Sequence, residues 1–180
     1  MKQSLRAIAA FGVLGLASLG AHAADGTITF NGMVTAQTCT INGNGSGSND
    51  FTVTLPTVSA STLAAAGDTA GRTPFNIALT NCTPASGNVH TFFEQGPTID
   101  ATTGDLILAN GGATNVQLHL QNSDLSDIAL NGDDGTQNSL SVAISSAGAA
   151  TLPYYVEYKA TGAATPGAAD SSVMYTMSYQ

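Results

Sequence analysis

Apolar residues recur at every second position in short segments along most of this chain. This period indicates half-buried β-strands, because successive side chains of a strand point to opposite faces of the sheet. The apolar positions of the seven segments are Ile28, Phe30 and Val34; Phe51, Val53 and Leu55; Phe75, Ile77 and Leu79; Val116, Leu118 and Leu120; Leu140, Val142 and Ile144; Tyr154, Val156 and Tyr158; and Val173, Tyr175, Met177 and Tyr179. Clusters of Gly, Asn, Asp and Pro at 42–50, 131–135 and 162–170 are typical of turns between such strands. Together these patterns predict an all-β sandwich.

One stretch favours a helix instead. In the segment 59–67, Leu63 and the alanines at 64–66 precede Gly67, which predicts a short helical turn that acts as a connector. The Gly, Ser and Asn residues of 42–50 predict the tip of a hairpin and not a linker between domains.

The first 23 residues have the pattern of a secretory signal peptide. Two basic residues precede an uncharged apolar run at 7–19, and the small side chains of Ala21 and Ala23 predict cleavage before Ala24. The apolar run is shorter than the roughly 20 residues that span a bilayer, so a membrane anchor is the less favoured alternative. We therefore expect an exported mature chain of 157 residues, enough for one domain and without stable insertion in a membrane.

Charge narrows the range of partners. Lys2 and Arg6 leave with the signal peptide while all twelve acidic residues remain, so the mature chain has a formal charge of −10. A chain with this charge is repelled by the phosphates of nucleic acid, which is not an expected partner. Because 43% of the whole chain is hydrophobic and only 9% is charged, we expect a folded domain and not charge-driven disorder.

Cys39 and Cys82 are the only cysteines of the chain. Since an exported protein folds in an oxidising compartment, we predict that they form one disulfide. The bridge closes a loop of 44 residues. In the chain-entropy description such a loop contributes about 4 kcal/mol to stability.

A secreted hydrolase is the alternative from a different class of function. The mature chain contains only two histidines, His90 and His119, and neither lies in a catalytic motif. We interpret His119 as a solvated residue, because it lies on the polar side of its predicted strand. His90 and Glu94 are four residues apart, a spacing that does not bring side chains together on a strand. The sequence has no Gly-x-Ser-x-Gly, phosphate-loop or zinc pattern, so we predict no catalytic residue and no cofactor.

Four acidic residues, Asp124, Asp127, Asp133 and Asp134, raise the possibility of a calcium site. Their spacing lacks the pattern of a calcium-binding loop with its central glycine. We therefore predict no metal site and expect these carboxylates to be solvated.

The segment 24–34 alternates from the predicted start of the mature chain. A strand in this place either pairs within its own sheet or fills an exposed sheet edge of another molecule. Gly32 lies on the apolar side of the strand, where a glycine usually marks close approach of another backbone.

Several motifs, in this order and spacing, resemble the pilins of the chaperone–usher pathway, in particular the subunits of type 1 fimbriae. They are Ile28-x-Phe30-x-Gly32-x-Val34, Cys39, Phe75-x-Ile77-x-Leu79-x-x-Cys82, the stretch from Tyr158 to Gly167, and the ending Tyr179-Gln180. The resemblance spans the mature chain, and the combination is more specific than any one motif.

The resemblance implies an incomplete immunoglobulin-like β-sandwich that lacks its last strand and is completed by a donated one. Residues 24–34 would be the donor-strand extension and 35–180 the pilin domain. A periplasmic chaperone would supply the missing strand first, and the extension of the next subunit would replace it at an outer-membrane usher. The implied groove-filling positions are Ile28, Phe30, Gly32 and Val34, with Gly26 as a weak outermost one. The implied groove wall is Val173, Tyr175, Met177 and Tyr179, with Tyr179 and the carboxylate of Gln180 contacting the chaperone.

The expected function is that of a structural subunit of a bacterial surface fimbria that supports adhesion or biofilm formation. Its partners would be identical or related pilins, the chaperone and the usher. It would be exported through the periplasm to the fimbria on the cell surface. A minor adaptor subunit is the alternative within the same class, because it would carry the same motifs. A tip adhesin has an additional receptor domain, for which this length leaves no room.

Overall fold

The computed structural model describes residues 26–30, 32, 34, 36–109 and 111–180. The signal peptide and the cleavage site predicted at Ala21, Ala23 and Ala24 lie outside these residues. The chain divides into two units, Met1–Val34 and Thr35–Gln180. In the first unit, no strand includes the described residues between 26 and 34.

The second unit is built almost entirely of strands, which confirms the all-β prediction. The strands are β1 (Thr38–Gly43), β2 (Thr69–Thr83), β3 (Asn88–Phe93), β4 (Leu106–Ile107), β5 (Val116–Asn122), β6 (Val142–Ala143), β7 (Ala150–Ala160) and β8 (Tyr175–Tyr179). A 3₁₀ turn at Ala60–Thr62, capped by the Ser59 side chain, confirms the helical connector predicted within 59–67. No helix in the described part of the chain is long and apolar enough to cross a membrane.

The strands form two antiparallel sheets. The larger has the order β1-β2-β7-β5-β4 and the smaller the order β6-β3-β8. Within the larger sheet, Phe75 lies opposite Tyr154, and Leu120 lies opposite Val156. These side chains belong to the hydrophobic core, to which both sheets contribute. The alternation seen in the sequence therefore corresponds to real inward-facing positions in β2, β5 and β7.

The strand predictions differ from the structure in four places, and the first is the segment 28–34, whose described residues form no strand. Residues 51–55 alternate in exposure as a strand would, yet they make no ladder. The predicted strand around Val142 is reduced to two residues, Val142–Ala143. Strands β1, β3 and β4 were not predicted, and β3 shows why: Val89, His90 and Thr91 are all buried, so its apolar and polar residues do not alternate.

The disulfide between Cys39 and Cys82 is present, as predicted. It joins β1 to the end of β2, where Thr38 lies opposite Thr83. The turn predicted at 42–50 begins in the last residues of β1 and is closed by a backbone hydrogen bond from Gly43 N–H to the Ser48 carbonyl at 2.8 Å. It is not the predicted hairpin tip, because β1 pairs with β2 and residues 51–55 make no ladder. The bridge thus fixes the start of the edge strand β1 on its neighbour.

Candidate functional site

The main feature of the Thr35–Gln180 unit is an apolar groove of about 850 Å³. One wall is formed by residues 171–179 and the other by residues 49–55. The floor consists of core side chains from the strands beneath: Phe75, Ile77, Phe93, Leu118, Leu120 and Val156. The groove therefore leads directly to the hydrophobic core.

The first wall follows β8, which is an edge strand. Its ladder to β3 runs from Tyr175 opposite Phe93 to Tyr179 opposite Val89. On its other edge, β8 has no strand partner among the described residues. All four residues predicted for the groove wall line the groove: Val173, Tyr175, Met177 and Tyr179. The structure therefore brings this predicted set together beside an unpaired strand edge.

The second wall was not predicted as such. Phe51, Val53 and Leu55 are half-buried and line the groove from the side opposite β8. Their alternation in the sequence indicated one inward-facing side, although the segment makes no ladder of its own. A strand lying between this segment and β8 would have backbone on both sides.

Tyr175 connects the two walls. The Tyr175 hydroxyl donates a hydrogen bond to the Asn49 carbonyl at 2.7 Å. The rings of Phe51 and Tyr175 meet edge to face, with centroids 6.1 Å apart. Burial, and then the nearby Asp50 carboxylate, raise the pKa of Tyr175, so its hydroxyl stays protonated and able to donate.

In the first unit, the apolar side chains of the predicted donor segment are exposed. Ile28, Phe30 and Val34 expose 78%, 87% and 100% of their surface. A Cβ added at Gly26 or at Gly32 would meet no atom within 4 Å. Leaving large apolar side chains in water costs roughly 25 cal/mol for each Å² of apolar surface, so this segment gains free energy from any apolar site that covers it.

Gln180, the last residue of the sequence, is held firmly in the smaller sheet. Its N–H donates to the Asn88 carbonyl at 2.8 Å, and its carbonyl accepts from the Asn88 N–H at 3.0 Å. The Gly87 backbone lies so close that a Cβ there would be 2.8 Å from the Gln180 carbonyl oxygen. The backbone at Gln180 is therefore a fixed point beside the groove wall.

The prediction that His119 is solvated is wrong. Its ring is buried, with Nδ1 2.6 Å from Asp105 and Nε2 2.9 Å from Asp127. Burial opposes the charged ring, but the hydrogen bonds to the two carboxylates outweigh it and raise the pKa of His119. Because loops cover the outer face of the larger sheet, the polar side of β5 is as buried as its apolar side.

The two basic residues of this unit belong to the same face. Lys159 Nζ lies 2.9 Å from Asp105, and Arg72 Nε donates to Glu157 at 3.0 Å. Glu157 is also the cross-strand neighbour of His119. These ion pairs explain how charged residues are accommodated next to buried β5.

The arrangement of His90 does not resemble that of a hydrolase. His90 Nε2 lies 2.6 Å from the Asp134 carboxylate, and the Ser178 hydroxyl donates to the other oxygen of Asp134 at 2.9 Å. The serine is thus bonded to the carboxylate and not to the imidazole that would have to take its proton. All four acidic residues are exposed, as expected, although Asp127 and Asp134 also form hydrogen bonds with His119 and His90. Among the described residues, no group of three or more His, Cys, Asp or Glu side chains is placed to hold a metal ion.

Comparison with known proteins agrees with this geometry. The sequence profile of the family described as FimA, type-1 fimbrial protein A, matches residues 55–180. The chain is 52% identical over 172 residues to the major fimbrial subunit SMF-1 of Stenotrophomonas maltophilia (strain K279a), covering 93% of this chain and 99% of that protein. It is 46% identical over 176 residues to the F17 fimbrial protein of Escherichia coli, covering 94% and 96%. The solved P pilus rod subunit PapA shares the fold with a TM-score of 0.59 at 20% identity, covering 79% of this chain and 99% of that one. A subunit in the structure of a chaperone–usher pilus gives a TM-score of 0.60 at 23% identity, covering 87% and 96%.

Proposed function

The chain belongs to the type 1 fimbrial protein family, and from this we propose that it is a structural subunit of a surface fimbria that polymerises by donor-strand exchange. In this proposal, residues 24–34 of one copy enter the groove of the next copy. The exported fimbria serves cell adhesion or biofilm formation. The protein acts as a building element and not as an enzyme.

The observation that carries the proposal is the groove between residues 49–55 and β8. It has an apolar floor and, on the β8 side, a strand edge with unused backbone groups. An added strand would pair with this edge and cover the core at the same time, which is the recognition mode of β-strand addition. Such an edge invites uncontrolled pairing if nothing covers it, so a dedicated occupant is expected.

The extension fits the groove by its alternation. Ile28, Phe30 and Val34 lie on one side of an extended segment, and burial of each contributes roughly 1.5–3 kcal/mol before entropy costs. Gly32 shares that side and suits a position where the donated backbone approaches the groove closely. Because departure of the strand would expose the core again, the joint between subunits should persist kinetically.

Assembly requires that the groove be covered before polymerisation. We assign this role to a periplasmic chaperone, followed by transfer to the next subunit at an outer-membrane usher. The fixed backbone at Gln180, together with Tyr179 in the groove wall, supports a chaperone contact at this end of β8. The other partners are copies of this chain or related pilins.

The test compares three variants expressed with the cognate chaperone. Deletion of residues 24–34 should leave chaperone complexes intact but abolish surface polymer. Gly32→Leu should also leave chaperone complexes intact, and it should reduce surface polymer less strongly than the deletion, because overpacking typically costs about 1–3 kcal/mol. Thr29→Leu adds a leucine on the opposite side of the segment and should leave polymer unchanged. Chaperone complexes and surface polymer are measured in parallel.

Two outcomes would contradict the proposal. Normal polymer from the deletion variant would exclude donation by this segment. Loss of chaperone-bound protein in both the deletion and Gly32→Leu would instead place the segment in the sheet of its own subunit.

Electron microscopy of cells depleted of the protein separates the two roles within the family, since loss of shafts indicates a major subunit and shortened shafts an adaptor.

A further inference from the structure

The contact between the two groove walls has a geometry that bears on strand entry. A strand seated between two neighbours needs them about 9.5 Å apart, which is twice the spacing of paired strands. In this chain a single tyrosine reaches across that gap, since the Tyr175 side chain starts on β8 and its hydroxyl binds the Asn49 carbonyl at 2.7 Å. That carbonyl belongs to the backbone against which an entering strand would lie.

Phe51 completes the contact from the other wall. Its ring packs 6.1 Å from Tyr175 and 6.2 Å from Phe75, so it bridges the wall and the groove floor. The ring is seated on Gly43 of β1, where any Cβ would collide with it. The arrangement is thus a packed one, with a specific seat for the ring and a hydrogen bond at its far side.

We propose that Phe51 and Tyr175 form an aromatic latch, which joins the two groove walls in the unoccupied subunit and opens before the donated strand enters. The inference rests on the proposed function of the groove. The closed latch covers part of the apolar floor and uses the Asn49 carbonyl, so it stabilises the subunit without a donated strand. The entering strand competes with the latch, and the latch therefore slows premature strand entry.

Tyr175→Phe tests the latch with the smallest change, because it removes the hydroxyl and keeps the ring. Tyr155→Phe is the control, because Tyr155 does not line the groove and its hydroxyl makes no hydrogen bond to any described residue. The wild type and the two variants are prepared as residues 35–180, the unit that contains the groove, so that no copy can donate its own segment 24–34. Each is mixed with a fluorescent peptide of residues 24–38. The association rate constant is followed by fluorescence anisotropy.

We expect Tyr175→Phe to bind the peptide about fivefold faster than wild type, since one neutral hydrogen bond no longer has to break. Tyr155→Phe should bind at the wild-type rate. In the chains without peptide, hydrogen exchange of the amides at 49–51 should be faster in Tyr175→Phe than in Tyr155→Phe.

An unchanged or slower association rate for Tyr175→Phe would overturn the latch, because it would mean that the tyrosine bond persists beneath the seated strand. Unchanged amide exchange at 49–51 would also contradict it. These results leave strand donation itself intact, because the peptide still binds. If the peptide bound none of the three chains, the result would contradict the proposed function of the groove and therefore also the latch.

Discussion

At the scale of single residues, Gly43 is the position where one added carbon has the clearest consequence. It is buried in β1, and the ring of Phe51 occupies the space that a side chain would need. Gly43→Ala should therefore displace Phe51 and lower the free energy of unfolding by about 1–3 kcal/mol, as overpacking usually does. Denaturant unfolding measures the change. Gly96→Ala is the control, because a Cβ there meets no atom within 4 Å.

The buried histidine predicts a dependence of stability on pH. His119 faces Asp105 and Asp127 through hydrogen bonds, Glu157 across the ladder, and Lys159 through its shared partner Asp105. Since the folded pKa of His119 is raised, its stabilising contribution is fully present below the unfolded value of about 6.5. The contribution is lost as the pH rises through the folded pKa. Asp127 acts in the opposite direction: the hydrogen bond with His119 lowers its pKa, so its contribution is lost only in acid.

His119→Gln checks this dependence, because glutamine is polar but does not titrate. The thermal unfolding midpoint of the wild type should fall as the pH rises above the unfolded pKa of about 6.5. The variant should be less stable than wild type at pH 6, and its midpoint should change less over the same range. If the unfolding midpoints of the two proteins changed equally with pH, His119 would not be the cause of the pH dependence.

At the scale of elements, loss of the disulfide should lower the stability of the subunit. It joins β1 to β2 and closes a loop of 44 residues, which corresponds to about 4 kcal/mol in the chain-entropy description. Cys39→Ala/Cys82→Ala should accumulate poorly in the periplasm and unfold at lower denaturant concentration. The double variant removes the cross-link without leaving a free thiol, so Cys39→Ala alone serves as the comparison for effects of the thiol. Two free thiols in the wild-type protein by mass spectrometry would contradict the bridge.

The alternation of the sequence predicted those strands in which apolar residues on the core face alternate with polar residues on the other face. It located β2, β5, β7 and β8, and with β8 the first wall of the groove. It failed for β3, where the apolar and polar residues do not alternate, and for the surroundings of His119, because the polar face of β5 is buried and the pattern treats that face as solvated.

The second groove wall shows a different limit of the sequence. Residues 51–55 alternate because their apolar side chains face the groove. The pattern therefore predicted correctly that these side chains share one inward-facing side, but it was wrong in predicting a hydrogen-bonded strand. The bond between Tyr175 and Asn49 joins residues 126 positions apart. No local pattern signals a contact of that range, and only the folded sandwich brings the two walls together.

At the scale of the whole molecule, the Thr35–Gln180 unit is a sandwich with a groove that reaches its core, and Gln180 is fixed at the end of one groove wall. The two backbone hydrogen bonds with Asn88 hold that residue in the sheet. The proposed chaperone contact with Tyr179 and the Gln180 carboxylate would therefore meet a backbone that is held at a defined position.

The last prediction separates capture of this carboxylate from plain packing of a strand end. Appending several polar residues after Gln180 should leave the monomer folded, because an exposed tail does not disturb a packed strand. Chaperone complexes should nevertheless be strongly reduced, since the carboxylate moves away from its fixed place. The same residues inserted between Gly45 and Ser46, in the exposed turn after β1, are the control and should leave chaperone binding unchanged. Co-purification with the chaperone gives the readout, and thermal unfolding confirms that each variant is folded. Equal chaperone binding by the wild type and the tailed variant would mean that β8 is recognised along its edge and not at its end.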